Sequence, residues 1–152
     1  MTSAAYSSHP ALAVATDVLL PVLGVLTILL PALAWRAGRL RRPVILWACG
    51  VASIALVYIL RSVNVKTGVL MALCGVRYSS HTAVAISFGV TLVAFRLSLL
   101  PPVALVVCGY LWMITYLGYH APVDALCTTA VILPLSLICH AAWWRRGGTS
   151  GK

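Results

Sequence analysis

Two short stretches in the C-terminal half carry the residue types that could do chemistry: Cys74–Thr82 (Cys-Gly-Val-Arg-Tyr-Ser-Ser-His-Thr) and Gly118–Asp124 (Gly-Tyr-His-Ala-Pro-Val-Asp). Together they hold two of the four histidines and one of the two acidic residues. His120 and Asp124 stand four apart, with Pro122 between them where a helix would start. That spacing lets the Asp124 carboxylate accept a hydrogen bond from one imidazole nitrogen and leaves the other free as a nucleophile. A residue before proline is pushed out of helical geometry, so the chain at Ala121 lets His120 turn back over the helix end. His81 is then available as general acid toward a leaving oxygen.

Each stretch opens a long apolar run, so each histidine belongs to a helix N-terminus. Such an end carries about half a positive charge and unpaired N–H groups, which suit an anion. Arg61, Lys66 and Arg77 precede His81 and add positive charge. Phosphate fits this set better than a neutral ligand. One carboxylate, Asp124, is too few for a Mg²⁺ site, so neither a metal nor another cofactor is expected.

The elements that must position these residues follow from composition. The chain has 152 residues, 62% hydrophobic and 9% charged, where a soluble domain carries about 25% charged residues. The fold class expected is an all-α integral membrane bundle of about five transmembrane helices. The domain limits are a flexible N-terminus over 1–16, one helical domain over 17–146 and a flexible tail over 147–152. The spans run from about Val18 to Trp35, Pro43 to Leu60, Ser80 to Leu100, Val103 to Leu117 and Pro122 to Trp144. Asp17 reads as the N-cap of the first, Pro21 and Pro31 as lying near its ends, and Pro101-Pro102 as the break after the third. Within the 61–80 connection, Gly68–Gly75 is apolar but too short to cross a bilayer, and reads as a re-entrant or interfacial piece.

The net charge of +9 is distributed as membrane topology is written, flanking the apolar runs. Nucleic acid is therefore not an expected partner. Four arginines between Arg36 and Arg42 place that loop in the cytoplasm and the N-terminus outside. Alternation puts both histidine stretches on the extracytoplasmic face and the C-terminus inside. Arg96 snorkels at the inner end of the third span. Arg61, Lys66 and Arg77 are then the basic residues left on the outer side. No Lys or Arg precedes Arg36, so the cleavable-signal pattern is missing. The five cysteines form no C-x-x-C pair and suggest no disulfide framework. His9 reads as a surface residue and His140, at the far end of the fifth span, as structural or interfacial.

The motifs resemble those of the type-2 phosphatidic acid phosphatase superfamily, whose second motif is Pro-Ser-Gly-His and whose third ends in His-x-x-x-Asp. Ser79-Ser80-His81 and His120-x-x-x-Asp124 match them. Cys74-Gly75 with Ser79-Ser80-His81-Thr82 is also similar to the sphingomyelin and phosphoinositol-ceramide synthases. The resemblance covers roughly residues 61–140. It implies a His120 nucleophile oriented by Asp124, a phosphohistidine intermediate and His81 protonating the leaving group. Ser79 and Ser80 of the matched segment are expected on the substrate phosphate, and Arg77, Lys66 and Arg61 are expected to supply charge to it from positions outside the family's motifs. Departures are visible: Met113 and Ile114 stand where the third motif has Ser-Arg, Tyr78 and Ser80 replace the Pro and Gly of the second, and the first motif has no match.

The function expected is a membrane lipid phosphatase or phosphotransferase whose partners are a lipid phosphate substrate and membrane lipids, with a homo-oligomer left open. The alternatives are a b-type haem protein with paired axial histidines and a non-catalytic transporter or structural subunit. Against the last, ionisable residues near the membrane midplane mark transporters, and these spans show none there.

Overall fold

The computed structural model describes residues 10–38, 43–68, 72 and 75–145. These form α1 (Pro10–Arg36), α2 (Pro43–Thr67), α3 (Ser80–Phe95), a short 3₁₀ turn (Leu97–Leu99), α4 (Leu100–Tyr116) and α5 (Pro122–Arg145). The chain is an all-α bundle of the membrane type. Four helical stretches are long and apolar enough to cross a bilayer, and α3 is a shorter apolar fifth.

Several boundaries differ from the sequence expectation. α1 starts at Pro10, so Asp17 lies two turns inside the helix and is not its cap. Pro10-Ala-Leu-Ala-Val-Ala is itself helix-competent, with proline at the first position, where its missing N–H costs nothing. Pro21 and Pro31 fall in the helix interior. α2 continues beyond Leu60 to Thr67, so Arg61 and Lys66 ride on a helix and not on a loop. α3 stops at Phe95 because Arg96 is extended (φ −152°, ψ 114°), and Pro101-Pro102 fall in the first turn of α4. Most of the interfacial piece expected over Gly68–Gly75, Cys74 included, lies outside the described residues, as do residues 1–9 and 146–152 of the two termini.

α3 is both the shortest of the five apolar helices and the central one, packed against all four others. Its 16 residues rise about 24 Å, less than the roughly 30 Å hydrocarbon thickness. It is rich in small residues: Ala83, Ala85, Ser87, Gly89, Thr91 and Ala94 are all buried. Small side chains let backbones approach closely, which is the main source of helix association where no water drives it. A Cβ at Gly89 would stand 3.2 Å from Val107 of α4.

α3 and α5 run parallel with one constant offset. Ser79 meets Thr128, Ser87 meets Ser136, Thr91 meets His140 and Ala94 meets Trp143, every pair 49 residues apart. On α5 the partners belong to one buried stripe at helical spacing, Asp124, Thr128, Ile132, Ser136 and His140. Ser53 of α2 joins the same seam through a 2.8 Å hydroxyl contact with Ser136. Interhelical polar contacts of this kind average about 0.6 kcal/mol each in membrane proteins. Their effect here is to fix register: the start of α5 overhangs the start of α3, and residues 76–79 lie in that overhang.

Candidate active site

His120 is delivered by the turn that ends α4. Gly118 adopts a left-handed φ of +74°, its N–H donates to the Thr115 carbonyl (3.0 Å), and the Tyr119 N–H donates to the Ile114 carbonyl (3.0 Å). This is a Schellman cap, and glycine is the residue that occupies its left-handed position without strain. Tyr119 packs beside Ile114 and Tyr110 in one apolar cluster. Two residues later Pro122 opens α5, and Asp124 occupies the third helical position. Its Oδ2 accepts the Ala121 N–H (3.2 Å), half of a capping box. Its Oδ1 accepts the Arg77 N–H (2.8 Å) from the segment before α3.

His81 is delivered by the cap of α3. Ser79 is extended (φ −97°, ψ 99°), and its hydroxyl oxygen accepts from the Thr82 N–H (3.3 Å) and the Thr82 hydroxyl (2.9 Å). Its own N–H donates to the Thr128 hydroxyl oxygen of α5 (3.1 Å). Ser79, Thr82 and Thr128 are all buried. His81, between them in sequence, projects outward and is exposed.

The two histidines, 39 positions apart in sequence, come together at this end of the bundle. Their ring centroids are 6.4 Å apart with planes inclined at 53°, and the Tyr119 ring lies 6.4 Å from His81. His120 Nδ1 stands 3.9 Å from Asp124 Oδ2. That exceeds a hydrogen bond, although a carboxylate holding two backbone N–H groups still has lone pairs to offer. Burial holds the His120 imidazole below its ordinary pKa; Asp124 opposes this, and the charges of His81 and Arg77 reinforce it. The downward shift favours the neutral imidazole, which keeps one ring nitrogen unprotonated.

The remaining expected residues divide. Arg77 has its backbone fixed by Asp124, an exposed side chain and a charge felt at His120. Ser80 is the half-buried first residue of α3. The Ser79 hydroxyl oxygen accepts twice within the cap and is fully buried, so burial keeps it from a phosphate at the surface. Arg61 lies by Tyr78, whose phenol burial pushes up to about 12 with Arg61 opposing, and which donates to the Val57 carbonyl (3.0 Å). Lys66 lines a groove of about 320 Å³ along α2 with Tyr58, Ile59, Ser62 and Val63. Among the described residues, no three His, Cys, Asp or Glu side chains gather as a metal site.

Thr128 escaped the sequence reading. Its signal was present as a polar residue one turn below Asp124, on the same stripe as Ser136 and His140. Comparison with known proteins finds no family model, no curated protein and no solved structure that matches this chain.

Proposed function

We propose that this protein is an integral-membrane enzyme that removes or transfers a phosphate or phospho-headgroup on a lipid, at the extracytoplasmic face. The observation carrying this reading is the approach of His81 and His120 to 6.4 Å, with the Asp124 carboxylate behind His120. In the mechanism, Nδ1–H of His120 donates to Asp124 as the 3.9 Å gap closes on substrate binding, and Nε2 attacks phosphorus. The phosphorus–oxygen bond to the lipid breaks while imidazolium His81 protonates the departing oxygen. Neutral His81 then takes a proton from water, or from an acceptor alcohol, as that oxygen attacks phosphohistidine. His120 is regenerated, and phosphate or a new phosphoester leaves. Arg77 and the N-termini of α3 and α5 neutralise charge on the transferring group, the main requirement of phosphoryl transfer.

The test uses purified protein in liposomes, assayed for phosphate release from dioleoyl phosphatidate, a polyprenyl phosphate and a polyprenyl diphosphate, each with and without an acceptor alcohol. Release should occur with at least one of them and vanish in His120→Ala and His81→Ala variants that remain folded. Full activity in both variants would end this reading.

A further inference from the structure

The first two turns of α5 grip the segment ahead of α3 by two side chains in register. Arg77 N–H donates to Asp124 Oδ1 (2.8 Å), and Ser79 N–H donates to Thr128 Oγ1 (3.1 Å). In an extended chain, N–H groups two residues apart point the same way, about 6.6 Å apart. On a helix, residues four apart lie on one face, about 6 Å apart. The two spacings match, so the segment lies along α5 like an added strand whose acceptors are side chains.

The grip has consequences for both imidazoles. Asp124 also holds Ala121, the residue after His120. Thr128 holds Ser79, whose hydroxyl caps α3 through Thr82, and His81 lies between those two residues. One helix thus anchors the backbone on either side of the pair, at two points one turn apart. From α5, Asp124 fixes the His120 side, which the cap of α4 holds from the other direction. His81 is tied to the same frame through Thr128.

We infer that Thr128 is a positioning residue: its hydroxyl, buried against Ser79, sets the separation of His81 from His120. It touches neither imidazole. Loss of its acceptor unties the Ser79 cap from α5, so the first turn of α3 shifts locally while the deeper seam stays paired, and the gap between the rings opens. Reaction rates respond steeply to such shifts, since a displacement near 1 Å can cost about 100-fold. The catalytic consequence rests on the phosphotransfer reading, but the geometric claim does not.

The test therefore has two arms. In protein carrying ¹³C-histidine and held in lipid nanodiscs, the through-space proton contact between the His81 and His120 rings is measured for wild type, Thr128→Ser, Thr128→Cys and Thr128→Val. The contact should persist in Thr128→Ser, weaken in Thr128→Cys and fall more than about fivefold in Thr128→Val at unchanged helix content. Should the valine variant not fold, serine against cysteine decides, because both are small and only the hydroxyl is a good acceptor. An undiminished contact in the cysteine and valine variants, or its equal loss in the serine variant, overturns the proposal. In the second arm, kcat for dioleoyl phosphatidate should fall at least tenfold in Thr128→Val with KM within twofold, and Thr128→Ser should restore most of it. Ring contacts that follow the hydroxyl, with no phosphate released from any lipid by any form, would leave Thr128 as a positioning residue and remove the phosphatase reading.

Discussion

One histidine, His120, lies two residues before α5 and another, His140, near its far end, and the two sit in opposite surroundings. His140 is completely buried; its Nδ1–H donates to the Ser136 carbonyl (2.8 Å), and Nε2 lies 3.1 Å from the Thr91 hydroxyl, which itself donates to the Ser87 carbonyl (2.8 Å). Beside it, the Trp143 indole N–H donates to the Ala94 carbonyl (2.9 Å) near the end of α3. Every polar atom of that ring has a partner. His120 is partly exposed, its nearest carboxylate is 3.9 Å away, and the group facing it is another imidazole. A saturated buried network contributes rigidity and has nothing left to offer a ligand. An imidazole pair with unspent nitrogens, beside an exposed arginine at a helix start, has capacity left for a reacting group.

The contrast breaks most sharply under alanine. His120→Ala and His81→Ala should each lower phosphate release by roughly 10³-fold or more, measured on liposomes, while Tm stays close to wild type. His140→Ala should do the reverse: about 3 kcal/mol of stability lost, from the cavity and from the lost contacts with Thr91 and the Ser136 carbonyl, with activity per folded molecule retained. Denaturant titration beside the phosphate assay checks both. If His140→Ala abolished turnover in folded protein, the division between a structural and a chemical end would fall.

Asp124→Asn sharpens the comparison from the other side. The amide oxygen can replace one of the two carboxylate acceptors, yet the Nδ1 partner of His120 loses its charge. A fall of roughly 10²-fold in kcat is expected, together with a loss of about 1–2 kcal/mol of stability because one backbone N–H then faces the amide NH2, read by steady-state kinetics and thermal melts.

A pH scan probes the same pair. The folded-state pKa of His120 lies below its unfolded value near 6.5. At high pH both states are neutral and the group contributes nothing. As pH falls through about 6.5 the unfolded chain takes up the proton first, so stability drops, and the drop levels off below the folded-state pKa. Tm measured between pH 8 and 5 should decline, and His120→Gln should flatten part of that decline. The smallest effect is expected at Gly118→Ala, about 1 kcal/mol, because its φ of +74° disfavours a Cβ. Thermal melts check it, and a larger loss of activity than of stability would show that this turn aims His120.

Much of the architecture was legible in the chain. Apolar runs summed over many residues locate spans robustly, because each residue adds a small free energy of the same sign. Pro122 at the start of α5 and His81 in the first turn of α3 follow from local helix-start chemistry. Ends were harder. Arg61 and Lys66 looked like loop residues because charge ends a hydropathy window, yet a helix continues through exposed charges when its hydrogen bonds are satisfied, as α2 does to Thr67. Asp17 looked like a cap for the same reason.

What the sequence by itself determined is a bundle of apolar helices, with histidines placed at the beginnings of two of them. Only the tertiary structure decided that those beginnings meet, that the Ser79 hydroxyl turns inward as a cap, and that Asp124 grips the backbone of Arg77. The physical reason is register. A hydrogen bond between residues 49 positions apart depends on how two helices slide against each other, and that is set jointly by the small side chains and the polar contacts along the whole α3–α5 seam.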